Sequence, residues 1–168
     1  MLHSHFHSAV LAAFITTDSM TTRKVLYERA GRGLELCQLL EKEMGTALLA
    51  LDGLITGSHL RPDREAYLRL RDAVERQTLG TSLKQMRQWL KLQEDLEAVL
   101  TSALTARNDL AHHFFSRHGL KVIEADGRTE MLAYLNNLLV AIESGYALAG
   151  NVAAALVHAV RSEARGAV

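Results

Sequence analysis

Ten consecutive residues concentrate the groups able to move protons and hold anions: Ala106-Arg107-Asn108-Asp109-Leu110-Ala111-His112-His113-Phe114-Phe115. Histidine both accepts and donates a proton near neutral pH. Arginine offers a planar fork of donors that binds a phosphate most strongly where charge accumulates in a transition state. Asn108 can orient a hydroxyl or a phosphate oxygen without adding charge. The set suits phosphodiester chemistry, with an RNA 2′-hydroxyl as nucleophile. No close-spaced carboxylate pair and no His/Cys cluster accompanies it, so no metal and no cofactor is expected. The competing reading is a surface histidine pair beside an ion-paired arginine.

Position on the helix sharpens the question. At about 100° per residue, with Leu96 at zero, Leu100, Ala103, Leu104, Leu110, Ala111 and Phe114 fall within roughly 80° of Leu96, a single apolar stripe. Arg107 lands near its middle, at about 20°. A charge there needs a carboxylate from elsewhere in the fold, a cleft, or a second subunit. Arg107 and His112 are five apart, hence about 140° apart on an ideal helix, and do not converge. Convergence requires either a local helix distortion or a symmetric partner that completes the site.

The surrounding elements read as helices. From Arg23 to about Ile55, Val25, Leu26, Ala30, Leu34, Cys37, Leu40, Met44, Ala47, Leu48, Leu51 and Leu54 keep a helical period. Gly31-Arg32-Gly33 has no preceding strand, which favours a close helix contact over a phosphate loop. Gly57-Ser58-His59 ends this helix. Pro62-Asp63 opens a second one, running to about Gln77. Gly80-Thr81-Ser82 reads as a connector, with Ser82 capping a short helix through Met86, Trp89 and Leu90. A long helix from about Leu92 to Arg117 carries the polar cluster and stops at His118-Gly119, where glycine accepts a left-handed conformation. Asp126-Gly127 reads as a turn, and a last helix spans about Thr129 to Arg161. The fold class is therefore all-α, an up-and-down antiparallel bundle of four to five helices.

The chain of 168 residues is large enough for one core. Lys+Arg and Asp+Glu both number 19, so total charge selects no partner class. One cysteine, Cys37, excludes an internal disulfide and fits a reducing, cytoplasmic compartment. No apolar run approaches a membrane span, so no membrane association is expected. Residues 1–19 differ in composition and read as an N-terminal extension, with the domain covering 20–168 and Thr21 or Thr22 as its first helix cap. His3, His5 and His7 alternate there in a pattern open to metal, as is the trio Asp109, His112 and His113; an incidental role is expected for both.

Arg107-Asn108-Asp109-Leu110-Ala111-His112 resembles the signature of the HEPN superfamily of helical bundles, an arginine followed by a polar residue and, after four to six intervening positions, a histidine. Four residues separate Arg107 from His112, and five separate it from His113. The likeness covers these few residues in motif and roughly Met20 to Arg161 in architecture. It implies a metal-independent endoribonuclease acting as a homodimer, the toxin of a toxin–antitoxin or phage-defence system, with RNA as substrate and a cognate antitoxin as partner. Carried over by position, Arg107 binds the scissile phosphate, His112 is the acid–base group and Asn108 supports it, with His113 the alternative. One branch carries a tyrosine two residues after the histidine, which a partner nucleotidyltransferase modifies; here Phe114 stands there, a departure from that branch that puts this type of neutralisation in doubt. Other members bind ligands or partners without cleaving, so a non-catalytic interaction module is the alternative function.

The segment Arg61 to Lys91 holds eight basic residues (Arg61, Arg64, Arg69, Arg71, Arg76, Lys84, Arg87, Lys91) against four acidic ones. Such a surplus steers RNA if it is free, and is a solvated face if internally paired. Trp89 and Tyr67, at helical spacing, are expected in the core rather than stacked on bases.

Overall fold

A computed structural model describes residues 3–61 and 63–166, with side chains from Thr22 onward. All regular structure among the described residues is helical. The elements are α1 (His3–Thr56), α2 (Arg64–Glu75), α3 (Leu79–Trp89), α4 (Glu94–Asn108), a π-helical turn (Asp109–His113), α5 (Phe114–His118) and α6 (Ala125–Gly166), with a 3-10 turn at Ser58–Leu60. The backbone of α1 is continuous through Thr21 and Thr22, so neither threonine starts a helix. The side chains of His3, His5 and His7, and with them the metal reading of that segment, lie outside the described residues.

Local chemistry sets most boundaries. Gly57, at φ 68°, ends α1 in the left-handed conformation that glycine adopts without a Cβ clash. Asp63 caps α2, its carboxylate accepting from the amides of Glu65 and Ala66. Three expectations are corrected. Thr78, not Ser82, caps α3 by accepting from the Thr81 amide, and Ser82 is buried inside the helix. Gly119 is right-handed, at φ −48°. Asp126 and Gly127 belong to the first turn of α6 rather than to a loop. Arg128 explains the last point: it is buried and donates to the carbonyls of Val122 and Ile123, tying the short connection onto the start of α6. A Cβ at Gly127 would stand 2.4 Å from the Lys121 carbonyl oxygen, so the loop closes onto bare backbone.

The core lies along α1, α4 and α6, in two stretches. One gathers Leu40, Met44, Ala47, Leu48, Leu100, Ala103, Ala149 and Ala153 with Leu83 and Met86 of α3. The other gathers Leu26, Ala30, Cys37, Ala106, Leu110, Phe114, Met131, Leu135, Leu139 and Ile142. Pairings along the rods (Gly33 with Leu139, Gly150 with Glu43, His59 with Glu163) show α1 and α6 running parallel. Between them α4 runs the other way, with Ala103 against Gly145 and Leu110 against Gly33. At Gly145 a Cβ would sit 2.2 Å from that of Ala103, and at Gly33 it would meet Leu110 Cδ2 at 2.6 Å. Gly33 is thus the close helix contact expected of its triplet, whereas nothing lies within 4 Å of a Cβ at Gly31.

Two further expectations fail. Tyr67 and Trp89 are exposed, at 53% and 43%, because α2 buries only Val74 and α3 turns Leu79, Leu83 and Met86 inward instead. Among the described residues, one segment is long and apolar enough to cross a membrane by length and composition: an 18-residue window of α6 has mean hydropathy 1.4, with 22% of it buried. Alanines and valines on its solvent side, among them Val140, Ala147, Ala154 and Ala155, raise the average although Glu143, Asn151 and His158 interrupt the run.

Candidate functional site

The helix that begins at Glu94 does not stay α-helical through the polar cluster. From Asp109 to His113 it widens into a π turn, and the Phe114 amide donates to the Asp109 carbonyl five residues back. This is the local distortion that convergence requires. Arg107 Nη1 lies 3.2 Å from His112 Nε2 and donates to Asn108 Oδ1 at 3.0 Å. A guanidinium can only donate, so Nε2 of His112 is the acceptor and the imidazole proton sits on Nδ1.

The charge on the packing stripe has its carboxylate. Glu41 of α1 accepts from Arg107 Nε at 2.8 Å and faces Nη2 at 2.5 Å, through the same oxygen. All three guanidinium nitrogens are engaged, and Arg107 keeps 22% of its side chain exposed. Cys37, one turn before Glu41, is buried beside this pair. Burial pushes its thiol up to about 11, with the Glu41 charge adding to the rise and the Arg107 charge opposing it.

Arg107, Asn108 and His112 therefore meet, with Asn108 and His112 open to solvent. His113 is exposed and points elsewhere, its ring 6.2 Å from that of His112 in an edge-on arrangement. Alongside, Tyr27 of α1 stacks on Phe115 of α5 with ring centres 5.5 Å apart; both are exposed.

Asp109 faces away from this group. It is buried, accepts from the Tyr134 hydroxyl of α6, and lies 2.8 Å from Arg117 Nη1. The hydrogen bond to the carboxylate, with burial second, raises the Tyr134 hydroxyl above its ordinary value. Asp109, His112 and His113 do not share one focus, and no group of three His, Cys, Asp or Glu among the described residues is placed to hold a metal.

In the basic segment, Arg69 pairs with Glu65, Arg71 with Asp72 and Glu75, and Arg87 with Glu97. Glu65, Asp72 and Glu75 belong to the segment itself, so only Glu97, from α4, offsets its basic surplus. Sequence reasoning missed Glu41, 66 positions from its partner, although the demand for such a carboxylate was legible in the wheel position of Arg107. Tyr134 and Arg117 gave no sequence signal. Comparison of the chain with family models, curated proteins and solved structures finds no match.

Proposed function

We propose that the chain is a metal-independent endoribonuclease of the HEPN type, an up-and-down helical bundle that cleaves RNA by acid–base chemistry. The observation that carries this reading is the contact between Arg107 Nη1 and His112 Nε2. In the proposed reaction His112 removes the 2′-hydroxyl proton, and the 2′-oxygen attacks the adjacent phosphorus. Arg107 and Asn108 stabilise the extra charge on the phosphate oxygens. The 5′-oxygen leaves with a proton from an imidazolium, giving a 2′,3′-cyclic phosphate and a free 5′-hydroxyl.

Arg107 enters this reaction already paired with Glu41, so substrate phosphate must compete with a carboxylate. A homodimer answers that in part: Asn108, Ala111, His112, His113 and Phe115 are exposed on one stretch of helix, and a second copy across a twofold axis adds a second cationic group and a second histidine. The setting that goes with this reading is a cytoplasmic toxin held in check by an antitoxin.

The test is incubation of purified protein with varied RNAs in EDTA, beside His112→Ala. General acid–base catalysis contributes roughly 10²–10⁴-fold, so the variant should lose at least about a hundredfold. Absence of cleavage, or equal cleavage by the variant, sinks the proposal. A second reading, a non-catalytic interaction module, draws on the Glu41–Arg107 pairing and the exposed Tyr27–Phe115 stack. It prevails if Arg107→Ala abolishes self-association or partner binding while overexpression of the wild type leaves growth unchanged.

A further inference from the structure

The contact between Arg107 and His112 depends on an inserted residue, and a second pair across the same turn depends on it too. On an uninterrupted α-helix, five residues separate Arg107 and His112 by about 140°, and eight separate Asp109 and Arg117 by about 80°. One extra residue in the turn makes five count as four and eight count as seven, which brings the angles to about 40° and 20°. Both pairs are closed in the structure, at 3.2 Å and 2.8 Å. They report the same helix register from opposite faces of the rod.

The Asp109–Arg117 side is tied to α6. Asp109 is the first residue of the π turn and is buried, with one carboxylate oxygen accepting from Tyr134 of α6 and the other ion-paired, without hydrogen-bond alignment, to Arg117 beyond the turn. Its neighbour Leu110 fills the space that a side chain at position 33 of α1 would occupy. On the other side Arg107 is tied to Glu41 of α1, while Asn108 and His112 are exposed. Because both pairs need one register, stabilising one stabilises the other.

We propose that Asp109, clamped by Tyr134 and Arg117, is a positioning residue that sets the π register of Asp109–His113 and thereby delivers His112 to Arg107. The geometric claim stands whether or not the protein cleaves RNA; only its catalytic consequence rests on the ribonuclease reading.

The experiment reads the register directly, through the scalar coupling across the hydrogen bond from the Phe114 amide to its acceptor carbonyl, in the isotopically labelled full chain. The wild type should couple Phe114 to Asp109. Asp109→Asn and Arg117→Gln should lose that coupling and gain one from Phe114 to Leu110, the α register, while Arg117→Lys should keep the wild-type pattern. If Asp109→Asn fails to fold, Arg117→Gln decides, since that side chain is 57% exposed. Retention of the Phe114–Asp109 coupling in Arg117→Gln overturns the proposal. RNA cleavage is measured on the same samples. A displaced histidine should lower kcat by up to about 10²-fold with KM nearly unchanged. A wild type that cleaves nothing refutes the ribonuclease reading alone and leaves the coupling to judge the clamp.

Discussion

Two glycines in long helices should respond to the same substitution with opposite signs. Replacing a helical glycine by alanine removes a backbone-entropy cost of about 0.5–1 kcal/mol. At Gly31 of α1 a Cβ meets nothing within 4 Å, so Gly31→Ala should show that gain undiminished. At Gly145 of α6 the new Cβ would stand 2.2 Å from Ala103 Cβ and 3.9 Å from Leu40 Cδ2. Ordinary carbon contacts lie at roughly 3.5–4.0 Å, and an alanine Cβ has no rotamer with which to yield. Relief must come from α4 moving off α6 by more than about an ångström, at an overpacking cost of typically 1–3 kcal/mol. That exceeds the helix gain, leaving Gly145→Ala destabilised by about 1–2 kcal/mol. For a domain of this size each kcal/mol moves Tm by roughly 2–4 °C. Thermal unfolding followed by circular dichroism should therefore show Gly31→Ala about 2–3 °C above the wild type and Gly145→Ala about 3–6 °C below it. Adding Ala103→Gly to Gly145→Ala should restore part of the loss, because it removes the other Cβ. A Gly145→Ala protein as stable as Gly31→Ala would refute the reasoning, since it would mean that α4 and α6 are not pressed together at this point.

The Cys37 thiol, pushed up to about 11, makes a second prediction. Its folded value lies above the unfolded one near 9, so burial of the neutral thiol contributes stability fully present below that unfolded value. That contribution is lost as pH rises through about 11. The difference in denaturation midpoint between wild type and Cys37→Ala should hold constant up to pH 8.5 or so, then change in favour of the variant; a constant difference up to pH 11 counts against it. Removing the α2 cap with Asp63→Ala should cost about 1 kcal/mol and speed amide exchange in α2, whose only fully buried side chain is Val74; exchange rates unchanged from wild type would show that the cap is idle.

Helical class, the break at Gly57 and the start of α2 at Asp63 were legible because each follows from nearby residues: periodicity, a glycine, a capping carboxylate. The departures came where distant contacts outweighed local preference. Asp126-Gly127 has the composition of a turn, yet the buried Arg128 pulls the preceding carbonyls inward and starts α6 early. Ser82 is a good cap, but Thr78 stands four residues earlier and Ser82 is needed in the core. At the candidate site, ideal helix geometry stated the problem correctly: Arg107 needs a carboxylate, and His112 cannot reach it without a distortion. It could not supply the answers, because Glu41 comes from α1 and the Tyr134 partner of Asp109 from α6. A π turn has no local sequence signature here; it is visible only through the pairs it closes.

The parallel pairing of α1 with α6 has a consequence for synthesis. The most extensive helix interface joins the first and last rods of the chain, so Leu26, Ala30 and Cys37 find Met131, Leu135 and Leu139 only after everything between has been made. At roughly 5–20 residues per second, a nascent α1 waits on the order of ten seconds with that face uncovered. Helical proteins rich in local contacts fold quickly, but this one must close its longest loop last. The same arrangement puts residue 22 and residue 166 at opposite ends of the rods. A circular permutant would need a linker as long as the bundle, and a protein truncated before α6 would leave α1 as an open apolar helix for a chaperone to hold.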